Sequence, residues 1–331
     1  MEVAATQADV QASRPSHHVS LSRVGVTGVE KVVRLGGDDG DKLFWAKLDC
    51  YVDLGPEQKG AHMSRFEEVV NDVIGEVVVD GDSVFRAEEL AQRIAQQVRD
   101  RQGARKAEVW IEARYPEHKP APVSGIETQE LYTLYGAAVA SERGTRRLIG
   151  VAAQGMTACP CAQQLVAASA RQRLSGDGFT DEEIGRILDH VPVATHNQRG
   201  MGTLHIGCPE DCTTEIDGQT LLEIVEESMS SEIYELMKRS DEGAVVEKAH
   251  RRPRFVEDCV REMIRGVVDR LSVLGDDHFV SARQENLETI HQHNVVAERF
   301  GLLGELRNEL TSGEHLPHHT SMREWLDAAG R

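Results

Sequence analysis

The chain has 331 residues and a mass of 36.6 kDa, with a formal net charge of −18 and a mean hydropathy of −0.39. This length is enough for one large domain or two smaller ones, each with its own core. The acidic balance argues against a nucleic-acid surface, which needs clustered cations, and the chain lacks the run of about 18 apolar residues that a membrane span needs.

The charges and cysteines indicate the environment of the protein. Acidic residues occur in every segment and arginine outnumbers lysine, which we interpret as the solvated surface of a halophilic protein in a salty cytoplasm. Six cysteines are too few for a disulfide-rich secreted protein, and no apolar run near the start resembles a signal peptide. We therefore expect a cytoplasmic location and reduced cysteines.

The first part of the chain predicts an arm, two strands and two helices. Residues 1–19 are polar without a sustained period and are expected to form a flexible arm. LSRVGVTGVEKVVRL and DKLFWAKLDCYVDL alternate as a hairpin would, with residues 36–40 as its turn. Helical spacing follows over 64–78 and again after Ser83, a potential cap. AEVWIEARYP then returns to a strand, and HKPAPVSG is interpreted as a proline-rich linker.

The second half repeats this order. LYTLYGAAVASE, RRLIGVAAQGMTACP, MGTLHIGCP, HFVSARQENLE and TIHQHNVVAERFG predict strands, and helical spacing appears over 219–237 and 254–274. The pattern predicts an α+β fold in which helix pairs cover one face of an antiparallel sheet and other copies pair its edges. The predicted parts are a first unit over 20–122, a second unit over 123–310 with a helical insertion at about 163–194, and a tail over 311–331.

Two thiols flank a proline in GMTACPCAQ, at the end of a predicted strand. A thiol acts as a ligand or nucleophile only where its thiolate is favoured, so Cys159 and Cys161 are either a buried pair or part of a site. Their spacing is tighter than the CxxC of structural zinc sites. We therefore expect one of the two thiolates to contribute to a metal centre.

Three histidines fall where side chains could reach a cleft. His196 lies between a proline-containing segment and a strand, where it is either a ligand or a hydrogen-bonding loop residue. His291 and His293 would share one face of an extended segment, because side chains alternate there. That arrangement suits one imidazole as a ligand and the other as a positioning group. A polar strand edge is the alternative.

Carboxylates and cations near predicted helix ends are further candidates. Asp241 and Glu242 follow two basic residues at a predicted helix exit, and Glu257 lies in the first turn of the next helix, where capping explains it equally well. QKGAHMSR concentrates cations before a helix N-terminus, an arrangement suited to phosphate oxygens.

The remaining cysteines are expected to be structural. Cys208 and Cys212 have a plausible metal spacing but fall in a predicted loop without partners, so we interpret them as structural or incidental. Cys50 and Cys259 fall at packing positions. His205 lies inside an apolar strand and is expected to be a core histidine.

Taken in order, QKGAHMSRF, ACPC, HNQR, KRSDEGAVVEKAHRRPRFVED and NLETIHQH resemble the prokaryote-specific GTP cyclohydrolases of type IB, over about residues 20–300. The insertion after CPC resembles their archaeal, methanopterin-type branch. The resemblance implies the tunnelling fold (T-fold), in which two ββαα units per chain assemble into homo-oligomeric barrels, here a dimer or tetramer. It also implies that the imidazole ring of GTP is opened at C8, with release of formate and formation of a dihydropterin.

The resemblance implies one divalent metal per subunit, held by Cys159, His196, Glu242 and His291. Asp241 and Glu247 remain alternatives to Glu242, because SDE replaces the PDE of the bacterial branch. This donor set suits Fe(II), which the archaeal members favour, and also Mn(II) or Zn(II). A metal lowers the pKa of bound water toward about 7 and so supplies a nucleophile at neutral pH.

The resemblance also implies substrate contacts. Glu257 corresponds to the carboxylate that anchors guanine, and Cys161 and His293 are expected to position groups or transfer protons. The triphosphate is expected to be bound across a subunit boundary by Lys59, His62, Arg65 and Arg199.

The insertion favours 7,8-dihydroneopterin 2′,3′-cyclic phosphate as the product, the first step toward tetrahydromethanopterin. Dihydroneopterin triphosphate, made for folate, is the alternative product. Two other classes share the expected fold: nitrile reductases that use a cysteine and NADPH, and a non-catalytic purine-binding or metal-storage protein. The first class would not need a metal, and the second would bind GTP without releasing formate.

Overall fold

The computed structural model describes residues 9–35, 42–79, 86–210, 212–314 and 316–328. The turn expected at 36–40 and the cap expected at Ser83 lie outside these ranges. Within them, no helix combines the length and the apolar character that crossing a membrane requires.

The first half of the chain forms a strand hairpin, two helices and a second hairpin. The helix α2 ends at Gly103, whose φ of 65° lies in the left-handed region that favours glycine. The elements are β1 (Leu21–Leu35), β2 (Lys42–Leu54), α1 (Met63–Val79), α2 (Ala87–Gln102), β3 (Lys106–Pro120) and β4 (Glu127–Ser141).

The prediction of a linker at HKPAPVSG is wrong. The strand β3 continues through it to Pro120, which pairs with Glu127 at the start of β4. A proline lacks only its own N–H, so a strand can continue through it where that donor is not used. The segment is therefore the tip of the β3–β4 hairpin.

From Gly144 onward the chain forms the remaining expected strands, with two helices inserted between the first two of them. Thr180 caps the second inserted helix through a reciprocal bond with Glu183. The elements are β5 (Gly144–Ala158), α3 (Pro160–Gly176), α4 (Asp181–His190), β6 (Asn197–Cys208), α5 (Gly218–Ser228), β7 (Ser231–Glu232), α6 (Arg239–Arg251), α7 (Val256–Arg270), β8 (Phe279–Leu287), β9 (Val295–Leu302), α8 (Leu303–Ser312) and α9 (Met322–Asp327).

Two predictions in this half are corrected. The helix expected over 219–237 ends at Ser228, because the chain then turns into β7, which pairs with β5. The helix α6 was not predicted. It begins at Arg239, so Asp241 and Glu242 lie in its first turn and not at a helix exit, and the Asp241 carboxylate accepts a hydrogen bond from the backbone N–H of Lys238 at 2.8 Å.

The prediction of a strand that contains His291 and His293 is also wrong, because β9 begins only after both residues. Residues 288–294 form a bent loop, and β9 begins only at Val295. The polar run ETIHQHN buries little apolar surface, so alternation alone did not make it a strand.

The strands of the described ranges form one antiparallel sheet in the order β1-β2-β3-β4-β5-β6-β8-β9, with β7 added to β5. Helices α1, α2, α5 and α7 cover one face, where two apolar cores lie. Strand alternation explains the two faces: Leu48 and Cys50 are buried under the helices, whereas Trp45 is 48% exposed on the other face. The predicted α+β class with an antiparallel sheet is confirmed.

The C-terminal helix α9 lies on the opposite face of the sheet. Trp325 is 2% exposed, its ring centroid lies 5.8 Å from that of Phe279, and its Nε1 donates to the Asp277 carbonyl at 3.1 Å. Buried Glu108 accepts hydrogen bonds from Arg323 of α9 and from Arg23 of β1. These contacts hold α9 against the face that the other helices leave open.

The strand pairing assigns each loop to one of two ends of the sheet. The Cys159 end holds the pair Ala158–Asn197, the β3–β4 hairpin tip and the loop after Leu287. The Cys208 end holds the β4–β5 turn, Cys208, the start of β8 and the loop that follows Leu54.

Candidate active site

Cys159 lies where β5 ends and α3 begins. It is the N-cap residue of α3, and its Sγ accepts a hydrogen bond from the backbone N–H of Ala162 at 3.5 Å. Pro160 occupies the first helical position, where its fixed φ suits the helix and its missing N–H has no cost. The helix N-terminus favours a negatively charged ligand atom at this position. Cys161 is exposed in the first turn.

His196 is adjacent to Cys159 across the strand pair. The backbone N–H of Cys159 donates to the His196 carbonyl at 3.1 Å. On the imidazole, Nδ1 lies 3.0 Å from Oε1 of Gln198, whose Nε2 donates to Thr157 Oγ1 at 3.1 Å. This orientation makes Nδ1 the donor and leaves the Nε2 lone pair free for a metal.

The loop after β8 brings two more imidazoles to the same place. His291 and His293 are stacked, with ring centroids 5.2 Å apart and planes 15° apart. The ring of His291 also meets that of His196 edge-on, at 6.4 Å. Thr289 Oγ1 donates to the Asn197 carbonyl at 3.1 Å and ties this loop to β6. The two histidines therefore reach the site through a bent loop and not through a shared strand face.

Glu288 and Gln198 contribute to this cluster, and the sequence interpretation missed both. The Glu288 side chain is 7% exposed, and its Oε2 lies 3.8 Å from His196 Nδ1. That oxygen is buried without a hydrogen-bond partner among the described residues. Both residues stand inside quoted motifs, NLETIHQH and HNQR, but nothing in composition or spacing separates them from their neighbours.

The carboxylates at the start of α6 differ in what they contact. Asp241 is buried, and it accepts hydrogen bonds from the Val123 and Ser124 backbone N–H groups at 2.8 Å and from Ser124 Oγ at 2.7 Å. Burial raises the pKa of Asp241, but the bonds from Ser124, Lys238 and Val123 outweigh it and hold the pKa below its usual range. Its oxygens are thus occupied in clamping the hairpin tip to α6. Glu242 is exposed.

Glu247, the other alternative to Glu242, pairs with Arg251 on the exposed side of α6, with 2.9 Å between Oε1 and Nε. Glu257 is the second residue of α7 and has an exposed side chain. The start of α7 lies beside the thiol, because the backbone N–H of Arg254 donates to the carbonyl of Ala158 at 2.9 Å. Glu257 therefore belongs to the Cys159 end.

The four expected metal ligands share this end, but they do not form a tight cluster within one subunit. Among the described residues, the group of cysteine, histidine and carboxylate side chains whose ligand atoms all lie within 4.8 Å of one another is Cys208, Cys212 and His278. That group lies at the opposite end of the sheet.

A cavity of about 470 Å³ is lined by Asn197, Gln198 and Arg199, the residues that follow His196. Strands β5 and β6, the segment after β7 and the loop after β8 form its walls, and Arg199 projects into it with Tyr234 and Thr289. Its volume is in the range typical of small-molecule sites.

The predicted phosphate cluster is divided between the two ends. Lys59, His62 and Arg65 follow Leu54 and lie at the Cys208 end, whereas Arg199 lies at the Cys159 end. Asp9 contacts one member of the cluster at the Cys208 end, since His62 Nε2 lies 3.0 Å from Asp9 Oδ1. Fifteen residues of β5 separate the ends, or about 45 Å at the rise of a strand.

Comparison with known proteins identifies relatives over most of the chain. A family model described as type I GTP cyclohydrolase folE2 matches residues 8–297. GTP cyclohydrolase MptA of Methanococcus aeolicus is 42% identical over 309 residues, covering 91% of this chain and 99% of that protein. GTP cyclohydrolase MptA of Methanosarcina mazei is 40% identical over 313 residues, covering 92% and 97%.

Among solved structures, uricases are similar at low sequence identity. The uricase from Bacillus fastidious has a TM-score of 0.49 at 9% identity, covering 90% of this chain and 99% of that one. The uricase from Arthrobacter globiformis has a TM-score of 0.48 at 8% identity, covering 90% and 96%.

Proposed function

The chain belongs to the type I GTP cyclohydrolase family, and on that basis we propose that it opens the imidazole ring of GTP at C8 and releases formate. The observation that carries the proposal is that Cys159, His196 and His291 lie at the same end of the sheet, where the neighbouring residues of β5 and β6 line a cavity of about 470 Å³.

We propose that one divalent ion per subunit is held by Cys159, His196, His291 and Glu242. One thiolate, two imidazoles and one carboxylate form a borderline-soft donor set, which favours Fe(II) and also accommodates Mn(II) or Zn(II). The contact of Gln198 with His196 Nδ1 supports Nε2 as the ligand atom. The ion supplies Lewis acidity, which lowers the pKa of water toward about 7.

The protein's own side chains bind and orient the substrate. The Glu257 carboxylate accepts hydrogen bonds from N1–H and the 2-amino group of guanine, which places C8 toward the imidazole cluster. We assign to His293, which is stacked on His291, the transfer of a proton to the ring nitrogen as the bond from that nitrogen to C8 breaks. Cys161 is a second candidate for that proton transfer, since it is exposed and lies two residues after Cys159.

The triphosphate is proposed to contact two subunits. Arg199 lines the cavity, whereas Lys59, His62 and Arg65 lie at the Cys208 end, which the nine residue steps of β6 from Arg199 to Cys208 place about 30 Å away. One nucleotide cannot bridge that distance, so the second group must come from a neighbouring copy. The edge strands β1 and β9 each have one side unpaired within the described chain, which supports a dimeric or tetrameric T-fold barrel.

The proposed product is 7,8-dihydroneopterin 2′,3′-cyclic phosphate, formed with loss of the two terminal phosphates, on the way to tetrahydromethanopterin. Relatives named GTP cyclohydrolase MptA match more than nine tenths of the chain, and the inserted helices α3 and α4 lie directly after Cys159. Dihydroneopterin triphosphate remains the alternative product.

Anaerobic incubation with GTP and Fe(II) tests class, metal and product together. We expect stoichiometric formate, loss of turnover on chelation, recovery with Fe(II), and a phosphorus NMR signal of a cyclic phosphodiester beside diphosphate. A triphosphate retained on the pterin would establish the alternative product. GTP binding without formate would indicate a purine-binding protein, and NADPH-dependent reduction of a nitrile without metal would indicate a reductase.

A further inference from the structure

Cys208, Cys212 and His278 form a second cluster of metal-type side chains, at the Cys208 end. Cys208 is the last residue of β6, and His278 immediately precedes β8. The last pair of these two strands is Gly207 with Phe279, so Cys208 and His278 stand opposite each other one position further on. Cys212 follows in the loop to α5. The sequence interpretation had left this cysteine pair without a partner.

The geometry of the three side chains suits a metal. Cys212 Sγ lies 3.3 Å from His278 Nε2, and the three ligand atoms all lie within 4.8 Å of one another. Zinc–sulfur and zinc–nitrogen bonds of about 2.3 and 2.0–2.1 Å place tetrahedral ligand atoms roughly 3.5–3.8 Å apart. The CxxxC spacing of the cysteines is within the range of zinc sites.

His278 is held in the tautomer that a metal requires. Its Nδ1 lies 3.1 Å from the Gly275 carbonyl, to which it donates, and this leaves the Nε2 lone pair directed toward Cys212. Metal-bound histidines are typically oriented by such a bond from the second ring nitrogen to a backbone carbonyl.

Two of the three side chains are buried, Cys212 is partly exposed, and the charge of the site can be balanced. Cys208 is 2% and His278 5% exposed. Two thiolates and one neutral imidazole cancel the charge of a divalent ion, so the loaded site carries no net buried charge. Arg147 pairs with Cys208 across the sheet, and its Nη2 donates to the Cys212 carbonyl at 2.9 Å, which holds the loop in place.

We propose that Cys208, Cys212 and His278 bind one zinc ion, distinct from the ion proposed at the Cys159 end. The twelve residues of β6 separate the two sites by about 40 Å. The zinc joins the β6–α5 loop to the turn before β8. That turn also holds α9, because Trp325 Nε1 donates to the carbonyl of Asp277. The described residues supply three ligands and leave the fourth position to water or a carboxylate.

The zinc content of the full-length Cys159→Ala chain tests this site separately, because the substitution removes a proposed ligand of the ion at the Cys159 end. After anaerobic purification and dialysis against a weak chelator, we expect one zinc per chain in Cys159→Ala and none in Cys159→Ala/Cys212→Ser or Cys159→Ala/Cys208→Ser. Cys159→Ala/Cys259→Ala, which removes a buried thiol outside the cluster, should keep its zinc. Equal zinc in all four chains, or none in any, would overturn the proposal.

X-ray absorption on the zinc-loaded Cys159→Ala chain examines the site while Cys208, Cys212 and His278 are all unchanged. Two sulfurs at about 2.3 Å and at least one nitrogen at about 2.0–2.1 Å are expected. A coordination shell of nitrogen and oxygen only, or a Cys208–Cys212 disulfide in the mass spectrum of the purified chain, would contradict the site. Because the readout is metal content, it holds whether or not the chain turns over GTP.

Discussion

Oε1 of Gln198 lies 3.0 Å from Nδ1 of His196 and fixes which nitrogen of that imidazole is free. The glutamine is 5% exposed, and its Nε2 donates to Thr157, so its own orientation is set by β5. The contact thus connects the interior of the sheet to the proposed metal ligand.

Replacing this glutamine should weaken the metal site without removing a ligand. Gln198→Leu deletes the acceptor for Nδ1–H, and a loss of roughly 10–100-fold in Fe(II) affinity or kcat/KM is expected. Gln198→Glu keeps an oxygen in place and should retain most of the function. Metal titration and formate release measure both variants, and an equal loss in the two would argue against an orienting role.

Cys159→Ala should abolish metal-dependent formate release while the chain stays folded, because the thiol lies half-buried at a helix start and contributes little packing. Formate assays, size-exclusion chromatography and circular dichroism measure the two properties. Cys259→Ala, at a buried thiol on α7, is the matched control and should keep its turnover. Near-normal activity of Cys159→Ala would refute its proposed role.

Glu257→Gln should impair guanine binding. The amide loses an ionised acceptor, and a hydrogen bond to a charged group contributes about 1.5–3 kcal/mol, or roughly 10–150-fold in kcat/KM. Glu247→Gln removes an exposed carboxylate that pairs with Arg251 and should change kcat/KM little. Steady-state kinetics with GTP compare them, and similar values for both variants would exclude the anchor role.

Mixing two inactive chains should restore activity if each site spans two subunits. Cys159→Ala removes the thiol at one end of the sheet, and Lys59→Glu reverses a charge at the other. After joint refolding in equal amounts, about a quarter of the sites receive the intact half from each chain. Formate release by the mixture, absent from either chain alone, is the expected result. An inactive mixture that has exchanged subunits would place both groups in one subunit's site.

His205 should make folding stability depend on pH. Its ring lies against Gly150, where a Cβ would meet it at 2.2 Å, and burial lowers the pKa of His205 to about 4. The unfolded chain takes up this proton below about pH 6.5. The histidine's contribution is therefore fully present above pH 6.5 and is lost as the pH falls from about 6.5 to about 4.

His205→Gln cannot take up that proton in either state. Between pH 7 and 4.5 the wild-type chain should lose on the order of 2 kcal/mol more unfolding free energy than this variant. Urea unfolding at the two pH values measures the difference. The same pH dependence in both chains would show that His205 does not titrate as described.

Local periodicity predicted many of the helices and strands. The alternation over 42–54 and the helical spacing over 64–78 depend only on which side chains face the core, and both elements formed as predicted. The helix α6 and the loop at 288–294 were missed because their ends are set by contacts with other elements. Asp241, for example, bonds to Ser124 in a hairpin far away in the sequence.

The sequence alone determined the family, the antiparallel α+β class and the residue types of the candidate site, because ordered motifs and side-chain periodicity are local properties of a chain. Only the tertiary structure decided which of those residues meet. Strand register places His196 and His291 beside Cys159, sends Lys59 to the opposite end and brings His278 to Cys208 and Cys212. Register depends on pairing between distant segments, and no local pattern encodes it.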